Sequence, residues 1–200
     1  IPIPLNEESR LSALDSLKIL DTAASVNFDE ITAIVAESYD VPIALVSLVD
    51  AKRQWFKSKH GLDAPETSRD ISFCTYAIME SDYLLVPDAL DDRRFVNNPL
   101  VTGDPQIRFY AGAPLFLTPG IAWGSLCIID RKPRPDITDL SKLKLLAEKT
   151  VSAIIDHYEQ LENPIANSQP NPPQFKHKAK KESGKITFYM QGELTSHHAD

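Results

Sequence analysis

Two neighbouring stretches decide the fold: IRFYAGAPL at residues 107–115 and, a short turn later, SLCIID at residues 125–130. Both read as strands of one hairpin about LTPGIA, where Pro119-Gly120 suit the turn. A plain core strand carries Val and Ile, yet the first of these carries Arg108, Tyr110 and Gly112. Arg108 and Tyr110 are two residues apart and share one face, while Phe109 and Ala111 take the other. The arginine either holds an anion in a pocket walled by Tyr110 or pairs with Asp88 or Asp70 to tie loops to the sheet. A glycine inside a strand marks a bulge or the close approach of a neighbour or ligand.

Upstream, PIALVSLVD (42–50) is almost continuously aliphatic and reads as a strand buried on both faces, with QWFKSKHG (54–61) returning beside it. SFCTYAIM (72–79) fits a short helix with Phe73, Tyr76 and Ala77 on one side, and YLLVPDA (83–89) a strand that Pro87 ends. Residues 62–70 and 90–106 read as irregular. At the N-terminus, residues 6–20 space Leu11, Leu14, Leu17 and Leu20 as a helix that Asn6 can cap; a second helix opens at Asn27, with Glu30 at capping-box distance. Beyond the hairpin, an apolar stripe at 140, 143, 147, 151, 154, 158 and 161 predicts a long helix. The terminal helices are expected over one face of an antiparallel sheet. The short helix and loops are expected over the other, where a small-molecule pocket has room.

After Glu162 the texture changes. Residues 163–184 read as a Pro- and Lys-rich linker without order, and residues 185–200 as a tail or the start of a following domain. Residues 1–162 hold 16 lysines and arginines against 25 carboxylates, a balance of −9. That argues against nucleic-acid binding by this part, because phosphate neutralisation needs clustered cations. No apolar run has the length of a membrane span. Two cysteines, Cys74 and Cys127, make no disulfide framework and fit a cytoplasmic setting. Cys74 reads more readily as a small buried residue than as a reactive thiol, and Cys127 as core.

In family order, RLSALDSLKILDT (10–22), VPIALVSLVDAKRQWFKS (41–58), RDISFCTYAI (69–78), VPDALDDRRFVNNPLVTG (86–103), IRFYAGAPL (107–115) and GSLCIIDRKPR (124–134) resemble a GAF domain. The resemblance spans residue 6 to about 158 and points to the sensory subgroup found before histidine kinase and cyclic-dinucleotide synthase outputs. It implies an α+β fold: an antiparallel sheet of five or six strands, terminal helices on one face, and a ligand pocket under the short helix on the other. The ligand-binding residues expected are Phe73, Cys74, Tyr76, Asp88, Phe95, Arg108, Tyr110 and Gly112, with no catalytic or metal-binding residue. The function expected is non-catalytic sensing of a small molecule, passed to an output domain on the same or a partner chain. A homodimer through the 6–20 and 140–161 helices is expected to carry the signal. The residues name no cofactor: the Asn-Lys, Phe and Asp-Glu signature of cyclic-nucleotide binders is missing, and Cys74 precedes Thr75 rather than the histidine of bilin binders. Two other readings remain open. One is a redox enzyme of the free methionine sulfoxide reductase type using Cys74. The other is a domain that only dimerises, its interior filled by Phe73, Phe95 and Phe109.

Overall fold

A computed structural model describes residues 1–162, 178–182 and 185–189. The chain divides into two units, residues 1–162 and 163–200. In the first, a six-stranded antiparallel sheet runs in the order β3 (Glu66–Ser68), β2 (Arg53–His60), β1 (Ile43–Val49), β6 (Ile121–Asp130), β5 (Phe109–Thr118), β4 (Leu84–Val86). All seven residues of β1 are buried, as continuous aliphatic patterning requires of a strand covered on both faces. β1 lies against β6, and Gly124 makes that approach possible: a Cβ there would stand 1.9 Å from the Ser47 carbonyl oxygen.

Alternation along the strands sorts the two faces. Ala44, Val46, Leu48, Phe109, Ala111, Ala113, Leu115, Trp123, Leu126 and Ile128 pack beneath helices α1 (Glu7–Ser16), α2 (Val26–Tyr39) and α5 (Ser141–Glu162). Ile43, Leu45, Val49, Tyr110, Cys127 and Ile129 face the other way, beneath the one-turn helix α3 (Cys74–Ala77) and the segment holding α4 (Pro99–Thr102). Trp55 packs on the helix face.

Local capping differs from expectation. α2 starts at Val26 after Ser25, so Asn27 is inside it. The Asn6 amide does not cap α1; it donates to the Gly120 carbonyl, 2.7 Å away, and so ties the start of α1 to the turn of the β5–β6 hairpin. Residues 62–70 and 90–106, expected as irregular, contain β3 and α4. Both elements are three or four residues long, too short for a periodicity signal.

The stripe on α5 serves its own domain. Leu143, Ala147 and Ile154 are buried, Leu146 and Thr150 widen that face, and Val151 and Tyr158 pack against the same core. What leaves this helix exposed is Leu145, Ile155 and Leu161. The apolar spacing from which a dimer was expected is therefore satisfied within the chain over most of its length. Arg134 links the loop before α5 to the end of α2, donating to the carbonyls of Asp40 (2.9 Å) and Tyr39 (3.2 Å) and pairing with Asp130 at 3.1 Å.

In the second unit, strands β7 (Lys178–Glu182) and β8 (Lys185–Tyr189) pair antiparallel. A strand thus stands at 178–182 within the stretch expected to be an unordered linker; the rest of that expectation, and the tail beyond 189, lies outside the described residues. No helix among the described residues is long and apolar enough to cross a membrane.

Candidate functional site

Six of the eight candidate residues gather between α3 and the sheet. Phe73, at the N-terminus of α3, stacks on Phe95 with ring centroids 3.9 Å apart and planes 9° from parallel. Tyr110 meets Phe73 at 5.1 Å, and Tyr76 approaches Phe95 edge-on at 4.9 Å. The Arg94 guanidinium caps this stack from outside, 5.2 Å from the Phe95 ring and 5.9 Å from Tyr76. Phe73, Cys74, Phe95 and Tyr110 are all buried.

Gly112 completes the arrangement. Strand pairing runs regularly through it, opposite Leu84 on one side and Cys127 on the other, so it does not mark a bulge. The Tyr110 side chain instead lies over it: a Cβ on Gly112 would stand 2.3 Å from the phenol oxygen. The missing side chain in this strand makes room for the ring two residues earlier on the same face.

The phenol oxygen of Tyr110 then reaches two polar groups. It donates toward Cys74 Sγ at 3.4 Å and lies 3.3 Å from Ser125 Oγ. Cys74 Sγ is 3.9 Å from Cys127 Sγ, both thiols being free and buried. Burial pushes the Cys74 thiol up, but hydrogen bonds from Cys127, Ser125, Ser47 and Tyr110 outweigh it and bring the thiol down to about 6. The Cys74 sulfur beside it, together with burial, pushes Cys127 well above its ordinary value. Next to this pair, Gln54 Oε1 accepts from Ser72 Oγ at 2.6 Å, and Ser72 Oγ accepts the amide N–H of Thr75, fixing the start of α3.

Arg108 and Asp88 stand apart. The guanidinium gives two parallel hydrogen bonds to the carboxylate, at 2.7 and 2.5 Å, the geometry of a forked ion pair. Asp88 Oδ1 also accepts the Leu90 amide. The Arg108 hydrogen bonds, set against a smaller desolvation, hold the Asp88 carboxyl below its ordinary value. Arg108 is thus already paired, and it pins the 86–92 loop to the start of β5. Asp88 lines a shallow surface groove of about 560 Å³ with Pro87, Asp91, Arg93 and Pro133. A larger groove, about 690 Å³ and mainly apolar, runs between Leu5, Met79 and Leu117. Neither is lined by Phe73, Cys74 or Tyr110, which belong to the buried cluster on this face of the sheet.

The polar partners Ser47, Gln54, Ser72 and Ser125 escape sequence reasoning, because lone hydroxyls in apolar strands have no periodicity of their own. A buried charge cluster is missed for the same reason. Arg10 grips Glu7 through two bonds of 2.8 Å, and Arg69 adds a third at 2.5 Å from across the fold. Burial works against it, but these guanidinium bonds draw the Glu7 carboxyl down to about 2.

The chain is 44% identical over 160 residues, 80% of its length, to a Pseudomonas aeruginosa protein named cyclic di-GMP phosphodiesterase PA2567. It spans about a quarter, 26%, of the length of that curated relative. The expectation that the protein is not an enzyme is corrected by this match, since the relative is named for a catalytic activity. Among solved structures, the GAF domain of an Acinetobacter phosphoenolpyruvate-protein phosphotransferase matches with a TM-score of 0.55 at 15% identity, over 78% of this chain and 97% of that one. A free methionine-R-sulfoxide reductase from Neisseria meningitidis matches with a TM-score of 0.52 at 17% identity, over 77% and 90%. Likeness at such identities speaks for the fold alone. The family model described as GAF domain matches residues 25–154, which run from the start of α2 to the buried Ile154 of α5. With that match and the six-stranded sheet between its two helical flanks, the chain belongs to the GAF domain family, a family of regulatory and sensory domains.

Proposed function

We propose that residues 1–162 are the regulatory domain of a larger protein that hydrolyses cyclic di-GMP, and that a small molecule sets its state. The observation that carries this reading is the 44% identity to a relative named as a cyclic di-GMP phosphodiesterase, within a match that covers 26% of that relative. The aligned part is then the regulatory part, and the remainder of such a protein holds the output. Two contacts support transmission through α5: the Leu143 amide donates to the Tyr39 hydroxyl at 3.0 Å, and Arg134 binds the carbonyls at the end of α2. A shift of α2 is thereby conveyed to the start of α5. Hydrolysis of cyclic di-GMP by the full-length protein, with and without residues 1–162, is the test. A changed rate supports the reading; absence of hydrolysis, or an unchanged rate, refutes it.

One observation favours a second reading of how the domain works. The Phe73–Phe95 stack and Tyr110 occupy the space under α3. The domain then acts by assembly of copies, including a homodimer, rather than by enclosing a ligand. Native mass spectrometry of the full-length protein separates the two. A retained small molecule selects sensing; an oligomer without one selects assembly.

A further inference from the structure

We infer that Cys74 and Cys127 are a redox-modifiable pair that closes to a reversible disulfide inside the domain. This goes beyond the regulatory reading and does not rest on it. The sulfurs are 3.9 Å apart, in direct contact distance, with one on α3 and the other in the middle of β6. A disulfide needs about 2.05 Å, so closure draws the sulfurs together by roughly 2 Å. Cys127 is held by pairing on both edges of β6, opposite Leu45 and Gly112. Cys74 begins a helix of one turn, so α3 is the part that moves. The surroundings prepare the two thiols for different roles. Cys74 receives the phenol of Tyr110 and is drawn toward the thiolate; Cys127 keeps its proton.

The oxidant is a small hydroperoxide. The Cys74 sulfur attacks one peroxide oxygen; an S–O bond forms, the O–O bond breaks, and the departing hydroxide takes the thiol proton to become water. The Cys127 sulfur then attacks the Cys74 sulfenic sulfur. The S–S bond forms, the S–O bond breaks, and hydroxide leaves with the Cys127 proton as a second water. Two thiols and one hydrogen peroxide thus give one disulfide and two waters. A dithiol reductant reverses the change by exchange.

The test exposes the folded 200-residue chain to hydrogen peroxide, then unfolds it in iodoacetamide and maps the peptides by mass. The expected result is loss of both alkylatable thiols together, a cross-linked peptide pair joining Cys74 to Cys127 within one chain, and recovery with dithiothreitol. Cys127→Ser is expected to leave a sulfenic acid at Cys74 that dimedone captures, and Cys74→Ser to leave Cys127 alkylatable at the same exposure. The mapping of the unsubstituted chain decides the matter even if a variant fails to fold. The inference is overturned if both thiols stay alkylatable under peroxide that oxidises the unfolded chain. It is equally overturned if the cross-link joins two chains, or if Cys74 passes to sulfinic acid while Cys127 stays free.

Discussion

Replacing Gly112 with alanine tests whether this glycine exists for the tyrosine beside it. The new Cβ would stand 2.3 Å from Tyr110 Oη, 2.8 Å from Cζ and 2.9 Å from Cε1. Carbon atoms prefer roughly 3.5 Å or more, so the ring has to move by something near 1 Å. Its freedom is small, because Phe73 lies against it and its hydroxyl contacts Cys74 and Ser125. Forcing a methyl group into such a site costs about 1–3 kcal/mol. Disturbing the phenol contacts adds about 0.5–1.5 kcal/mol for each one lost. The stiffer unfolded chain returns about 0.4–1 kcal/mol. A net loss of about 2 kcal/mol follows, lowering Tm by roughly 4–8 °C for a chain of this size. Urea unfolding followed by circular dichroism measures it. The control is Tyr110→Ala: in that background Gly112→Ala is expected to be neutral or to stabilise by up to about 1 kcal/mol, since only the chain-entropy term remains. Equal effects of Gly112→Ala in the two backgrounds would refute the reasoning.

Glu7→Gln leaves the buried Arg10 and Arg69 without their carboxylate and is expected to cost about 3 kcal/mol at neutral pH. Because the folded Glu7 carboxyl is lowered from 4.5 to about 2, its contribution is fully present above about 4.5 and disappears as pH falls toward about 2. Acid unfolding of the Gln variant should lack that component, and a parallel pH profile of the two proteins counts against the cluster. Ile154→Ala should cost about 2–5 kcal/mol, Leu161→Ala less than about 0.5 kcal/mol, because the first side chain is wholly buried and the second half exposed. Similar melting losses for the two would mean that α5 packs differently. Phe73→Ala removes one half of the stack, costs about 3–5 kcal/mol, and leaves an apolar void able to take benzene. Saturating benzene should therefore raise the Tm of that variant and leave the unsubstituted protein unchanged; no rise in the variant argues that the space collapses.

The long elements were legible because each repeats one periodicity over many residues. β1 is seven aliphatic-rich positions, and the β5–β6 hairpin alternates cleanly enough that the sidedness of Phe109 and Tyr110 agrees with the structure. α5 was legible as a helix, but its stripe does not say which surface it covers, and a dimer seam and a core-facing stripe overlap in spacing. The gathering of Phe73, Cys74 and Tyr110 followed from alternation and from a short helix lying over the strand. The role of Gly112 did not, because a strand pattern carries no information on how a tyrosine ring leans along its own strand. Arg108 could be narrowed to an anion holder or a partner of Asp88 or Asp70, and the structure shows it forked onto Asp88 by two bonds. The Glu7, Arg10 and Arg69 cluster joins residues more than sixty positions apart, and charges at that separation leave no trace in hydropathy.

The placement of β1 beside β6 has a consequence during synthesis. β1 ends at Val49, while its inner neighbour spans Ile121–Asp130. For roughly 80 residues, about 4–16 s at ordinary elongation rates, the nascent chain carries an aliphatic strand with one edge open. Such an edge pairs readily with other chains. The ribosome-bound chain is therefore expected to need protection until β6 emerges, and to become protease-resistant only then. Chains arrested after Gly120 should be digested or aggregate, whereas chains arrested far enough past Glu162 to clear the exit tunnel should resist. Resistance in the shorter set would mean that β1 finds a substitute partner among the strands that precede β6.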